Sequence, residues 1–192
     1  MISSSQNDDR TSVVALAGRR IDAESAGAQR FPLANVEAVA AALAQTLADL
    51  HAIALVSSAA CGADLLALKA AQSLSIPAHI VIPYVRDAFK QSSVIDRPAR
   101  EIWEPLFDDA IGRAAAHGAL TNLALKPDDP NAYQAANRAI FDIARRMASE
   151  RGARPVAIIV WEGAPRPGDD LTARFRQMAE EAGFETKTVP TL

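Results

Sequence analysis

Four clusters of chemically capable side chains stand in this chain, and each directly follows an apolar run. Gly18, Arg19 and Arg20 follow the run 12–17. Ser57 to Asp64, read SSAACGAD, follow 53–57. Pro83 and Tyr84 follow 79–82, and Glu162 to Thr172 follow 156–161. A guanidinium fork such as that of Arg19 or Arg20 matches a phosphate or a carboxylate, although a solvated loop or a salt bridge with Asp22 would use it as well. Ser57 and Ser58 carry hydroxyls. Gly62 lets another backbone or a ligand approach closely, and a helix beginning at 63 or 64 aims free N–H groups at its neighbour. Asp64 could accept from a ribose hydroxyl or act as a general base, but the commoner role for an acidic residue there is to cap or charge the first turn of that helix. Glu162 is the second candidate carboxylate for catalysis, or a ligand to ribose, or an ordinary polar residue ending a strand. Thr172 sits near a helix start behind a Gly/Pro-rich loop, a second possible phosphate cradle. Asp169 and Asp170 oppose that use, because they repel anions and Asp170 suffices as a cap.

Positioning these groups requires strands separated by helices. Helical spacing is clear over 35–50, where Val36, Val39, Leu43, Leu47 and Leu50 recur at three and four, and again over 64–74, 98–116, 131–150 and 171–182. Short apolar runs at 12–17, 53–57, 79–82, 120–125, 156–161 and 185–189 read as strands. Gly183 suits a helix C-terminus. Strand–helix alternation predicts a single-domain α/β Rossmann-like three-layer sandwich with a mostly parallel sheet of about six strands. In such sheets ligands bind beyond the carboxyl ends of the strands, where all four clusters lie. The segment 84–97 has no clean period and is expected to be a lid or binding loop. Within it and beyond it, Tyr84 and Phe89 could stack on a base, and Tyr133 and Asn137 could reach the crevice from the helix over 131–150.

Composition narrows the function. A net charge of −3, from 20 basic and 23 acidic residues with no basic stripe, argues against a nucleic-acid partner. No apolar run approaches a membrane span, and the polar start predicts a frayed tail over 1–11 ahead of one domain over 12–192. Cys61 is the single cysteine, which excludes an internal disulfide and fits a reducing cytoplasm. No P-loop and no GxGxxG after the first strand occur, so no nucleotide cofactor is expected, and the lack of a GxSxG argues against an α/β-hydrolase. His51, His79 and His117 are scattered, so no metal is expected. An anionic, nucleotide-like small molecule is the natural ligand for the four clusters.

The segments LAGRR, LVSSAACGADLLALKAA, IVIPYVRDAFKQSSV and VAIIVWEGAPRPGDDLTARFRQMAEEAGFE together resemble the SLOG superfamily. These are Rossmann-like nucleotide-binding domains related to DprA and to the LOG phosphoribohydrolases. The resemblance runs from about Ser12 to Val189. It implies a nucleotide pocket at the strand ends, adds Ser93 to the candidate contacts through the run from Pro83 and Phe89 to Ser93 and Val94, and implies self-association through helices. The apolar sides of 98–116 and 131–150 could serve a homodimer or the chain's own core. The chain departs from the LOG motif PGGxGTxxE at three positions: Asp169 and Leu171 replace glycines, and Phe175 replaces the catalytic glutamate. The resemblance therefore implies a binding or sensor domain. An N-glycosidic bond hydrolase or (deoxy)ribosyltransferase, working through Glu162 or Asp64, is the alternative.

Overall fold

The computed structural model describes residues 10–192. Most of the tail expected over 1–11 lies outside them. Six strands and six α-helices alternate, with one short 3-10 turn at Leu33–Asn35. The strands are β1 (Ser12–Gly18), β2 (Ala52–Ser57), β3 (Ala78–Ile82), β4 (Leu120–Asn122), β5 (Arg154–Trp161) and β6 (Glu185–Pro190). The helices are α1 (Val36–Asp49), α2 (Ala63–Ser73), α3 (Arg86–Ser93), α4 (Arg100–Ala116), α5 (Ala132–Arg151) and α6 (Leu171–Glu181). All strand pairs are parallel, in the order β4-β3-β2-β1-β5-β6.

Alternation along β1 explains the three layers. Val14 and Leu16 point to one face, where they meet α1, α2 and α4. Val13 and Ala15 point to the other, where α5 and α6 supply Ile140, Phe141 and Phe175, and the turn after α6 supplies Phe184. A strand buried on both faces must be apolar throughout, and Val13 to Leu16 are all fully buried. Phe141 stacks on Phe175 at 4.4 Å between ring centroids, so the residue at the LOG glutamate position is a core aromatic. Trp103, Phe107, Ile111, Ile140 and Phe141 are likewise buried inside the chain, so the apolar sides of α4 and α5 serve its own core.

Chain order reverses at β1. The first four strands run outward from β1 to β4, and the chain then crosses back to place β5 on the other side of β1. Loops leaving β1 toward α1 and leaving β5 toward α6 diverge at that point, which opens a crevice at the carboxyl edge.

The segment expected as a lid or binding loop contains α3. Its eight residues bury only Phe89 and Ser93, one turn apart. Two inward positions, one of them a serine, are too few to register as a hydrophobic period.

Candidate functional site

A crevice of about 810 Å3 lies at the carboxyl edge of the sheet. Of the predicted site residues, Gly18, Arg19, Ser58, Asp64, Ser93 and Thr172 line it, joined by Phe89, Tyr133 and Asn137. Ser57, Gly62, Pro83, Tyr84 and Glu162 do not. Arg30, Arg97 and Arg166 also line it and were missed by the sequence reading. Each lies several residues beyond a strand end, Arg97 and Arg166 beside prolines, with no local pattern that marks a site.

The Gly62 bend turns out to face the protein itself. Gly62 has φ +90°, and a Cβ there would stand 2.8 Å from the Arg19 carbonyl oxygen and 2.9 Å from the Ile21 amide nitrogen. Only glycine permits both that backbone conformation and that approach. Three of the amides expected to greet a ligand are taken, two of them by backbone: Ala63 N–H donates to Arg19 O at 3.1 Å and Cys61 N–H to Ser93 O at 2.9 Å. Ala60 N–H donates to Asp64 Oδ2 at 3.2 Å. The bend is thus a packing joint between α2 and the loop after β1, and the crevice opens beside it. Gly18 is part of the same joint, since a Cβ there would lie 2.6 Å from the Ala63 and Val160 Cβ atoms.

Arg19 is committed to two carboxylates. Its Nε donates to Glu162 Oε2 at 2.7 Å, and its Nη1 donates to Asp170 Oδ1 at 2.6 Å. Nη2 donates to Glu162 Oε1, Asp170 Oδ2 and the Ala164 carbonyl, each at 3.0 Å. Arg30 Nη1 also donates to Glu162 Oε1. Side chains of Arg19, Glu162 and Asp170 are 5, 7 and 4 % exposed. Asp170 further caps α6, accepting from Thr172 N–H and Ala173 N–H. Two guanidinium groups and two carboxylates close a neutral knot that ties β1 to β5 and to the head of α6. Burial lowers the Arg19 pKa, but its hydrogen bonds to Asp170 and Glu162, together with their charges, outweigh that and raise it. Burial pushes Glu162 and Asp170 up, yet Arg19 prevails; Glu162 falls below its ordinary value and Asp170 reaches about 2. Both Glu162 oxygens are occupied, so this carboxylate is neither a free base nor a proton donor.

Asp64 is the opposite case. It is 7 % exposed, in the first turn of α2 behind Gly62. Its single hydrogen bond returns to Ala60, so it braces the turn and leaves the helix amides uncapped by its side chain. Burial pushes its pKa up to about 7, with the Ala60 N–H and the Arg20 charge pulling weakly the other way.

The other predicted contacts have structural partners. Ser57 Oγ donates to the Ser58 carbonyl at 2.8 Å. The Pro83 carbonyl accepts from Leu125 N–H at 3.0 Å. Tyr84 is 2 % exposed, and its hydroxyl joins a cluster with Ser92 at 2.7 Å and Tyr133 at 2.6 Å. Ser93 Oγ is 2.8 Å from the Tyr133 hydroxyl, so this cluster holds α3 against α5. Burial raises the Cys61 thiol to about 11, which makes it an unreactive core residue.

What remains available is cationic. Arg20 and Arg97 flank Asp96, Arg20 donating to it at 2.8 Å. The Arg166 side chain donates only to the Asp169 carbonyl at 3.1 Å, apart from its backbone bond to Asp170. Asp22, the second carboxylate lining the crevice, accepts from the backbone N–H groups of Arg30 and Phe31 and so belongs to its own loop.

A second cleft of about 510 Å3 lies at the amino end of β3, lined by the 75–80 segment and by residues of α2, α4 and α5, with Arg113, Arg151 and His117 among its polar groups. It is remote from every predicted site residue. Among the described residues no group of three or more His, Cys, Asp or Glu could hold a metal ion, and no helix is long and apolar enough to cross a membrane. Neither a protein-family model nor a curated protein matches the chain.

Proposed function

We propose that the protein binds a phosphorylated, nucleotide-derived small molecule in the crevice at the carboxyl edge of its sheet, as a binding or sensor domain of the SLOG type. The observation that carries this reading is the charge of the lining. Five arginines (Arg19, Arg20, Arg30, Arg97 and Arg166) face two aspartates across the crevice. Arg19 is neutralised within the knot and Asp22 within its loop. Arg20 and Arg97 share Asp96 and so keep one positive charge between them; with Arg166 they form a rim suited to phosphate oxygens, with Thr172 and Ser58 as hydroxyl donors. The volume suits a nucleotide-sized guest. In this reading Arg19, Glu162, Gly18 and Gly62 position the rim, and Ser57, Pro83 and Tyr84 support it from behind. The ligand is a small molecule and not a nucleic acid, and the compartment is the reducing cytoplasm in which Cys61 stays a thiol. Self-association would use surfaces other than the apolar sides of α4 and α5, which the core takes up.

One observation favours the enzymatic alternative. Asp64, near pH 7 in its titration and lining the crevice, has the range of a general acid or base. An N-glycosidic bond hydrolase would therefore work through Asp64 and not through Glu162. Incubation of the pure protein with AMP, dAMP, NAD and ADP-ribose separates the two. A rise in melting temperature without released base supports the sensor, since a ligand at a hundredfold its Kd stabilises by about 2.7 kcal/mol. Base release abolished in Asp64→Asn supports the enzyme. No melting shift with any of the four at millimolar concentration overturns both.

A further inference from the structure

The two carboxylates that line the crevice are not equivalent. Asp22 Oδ2 accepts two backbone N–H groups, at 2.9 and 3.1 Å. Asp64 accepts one, the Ala60 N–H at 3.2 Å on Oδ2, and its Oδ1 has no hydrogen-bond partner among the described residues. Among the described residues no guanidinium or ammonium forms an ion pair with it. The other titratable or charged groups around the crevice come from each element packed there: Arg19 and Arg20 after β1, Arg30 in the loop ahead of α1, Arg97 after α3, Tyr133 on α5 and Arg166 ahead of α6. Arg19 is saturated by Glu162 and Asp170, and only Arg20 exerts a resolved pull on Asp64. Oδ1 is not among the fully buried side-chain atoms that lack a partner, so this oxygen of a nine-tenths buried carboxyl opens on the 810 Å3 crevice, where a guest can supply the donor that solvent otherwise provides.

The sign of that guest's inner end follows from electrostatics. A phosphate placed against Asp64 would meet a like charge in a poorly solvated site, whereas at the arginine rim it meets cations. A neutral hydrogen-bond donor suits Asp64. The neighbouring wall is also uncharged: Ser93, brought to the Asp64 turn by the 2.9 Å bond from Cys61 N–H to its carbonyl, and the Tyr133 hydroxyl 2.8 Å from its Oγ. Hydroxyl groups that both donate and accept are the natural counterpart of a hydroxyl wall and a carboxylate.

We propose that Asp64 Oδ1 accepts a hydrogen bond from a sugar hydroxyl of the bound ligand, so that the crevice selects a ribosyl ligand and holds it with its hydroxyls inward and its phosphate at the arginine rim. This rests on the nucleotide reading given above. The hydrogen bond stabilises the ionised carboxylate, so binding near neutral pH drives a proton off Asp64.

The test is calorimetric titration with ADP-ribose, whose diphosphate has no ionisation near neutrality, at pH 7 in two buffers of different ionisation enthalpy. The wild type is expected to release a fraction of a proton per ligand bound. Asp64→Asn is expected to release none and to bind roughly tenfold more weakly, the loss typical of a hydrogen bond to a charged group. Proton uptake or no exchange by the wild type overturns the assignment without any variant, as does unchanged binding by a folded Asp64→Asn protein. Arg97→Ala and Arg166→Ala provide the separating arm. If they weaken ADP-ribose while the proton signature is missing, Asp64 alone leaves the account. If the wild type does not bind ADP-ribose at all, the nucleotide reading fails and this inference fails with it.

Discussion

Arg19 and Asp64 follow adjacent parallel strands, lie within one crevice and are almost equally buried, at 5 and 7 % exposure. Their surroundings differ in completeness. Every nitrogen of the Arg19 guanidinium has a carboxylate partner, and the Glu162 and Asp170 that receive it are themselves filled by Arg30 and by the α6 amides. Asp64 has one long hydrogen bond and no counter-ion. A saturated buried network fixes geometry, while a carboxyl desolvated by burial without an ion-pair partner costs stability whenever it ionises. The difference teaches that charge at a strand end is not by itself a site. The knot joins β1, β5 and α6 and so shapes the crevice; the incomplete residue beside it is the one with chemistry left to do.

The largest effect should come from breaking the knot. Arg19→Ala leaves Glu162 and Asp170 buried without their main cation, and denaturant unfolding should report a loss of about 3–5 kcal/mol. A loss below about 1 kcal/mol would mean the knot is a surface-like set of ion pairs and the comparison fails. Acid should dissolve the same knot. The Asp170 pKa in the fold, about 2, lies below its ordinary value of 3.8, so its contribution is complete above pH 4 and declines as pH falls toward 2. Melting curves between about pH 5 and pH 2 should therefore drop more steeply for the wild type than for Asp170→Asn.

Asp64 should behave with the opposite sign. Its folded value of about 7 lies above the ordinary 3.8, so the folded state holds the proton more tightly, and stability falls as pH rises through that window. Asp64→Asn should melt higher than the wild type at about pH 8, by on the order of 1 kcal/mol, and the gap should shrink at about pH 5. A variant that is less stable at both pH values would recast Asp64 as a structural brace. The smallest effect on folding is expected at the rim. Arg166→Ala should change unfolding free energy by no more than about 0.5 kcal/mol, because its side chain makes only one exposed bond to a backbone carbonyl.

Much of the architecture was legible because it depends on local periods. The doubly buried β1 and β5 read as continuous apolar runs, the long helices showed their three-and-four spacing, and Asp170 read as a cap and is one. What was not legible depends on contacts between distant parts of the chain. Arg19 and Glu162 are 143 residues apart, and nothing in either neighbourhood announces that the fold will join them. Gly62 was expected to open the backbone to a ligand, and the same freedom is used to admit the Arg19–Ile21 backbone. A glycine signals close approach but not the identity of what approaches. Tyr84 and Phe89 were expected either at a base or in packing, and the 6.0 Å contact between their rings together with their burial places them in the packing of α3. Asp64 was expected chiefly as a helix-turn charge. Its return bond to Ala60, which leaves the other oxygen open, is a rotamer choice that composition cannot display.

A crystal structure of the protein with ADP-ribose tests the account most directly. The account predicts ligand density in the carboxyl-edge crevice, phosphates among Arg20, Arg97 and Arg166, and a sugar hydroxyl within hydrogen-bond distance of Asp64. Density only in the second cleft at the amino end of β3, or a phosphate seated against Asp64, would contradict it.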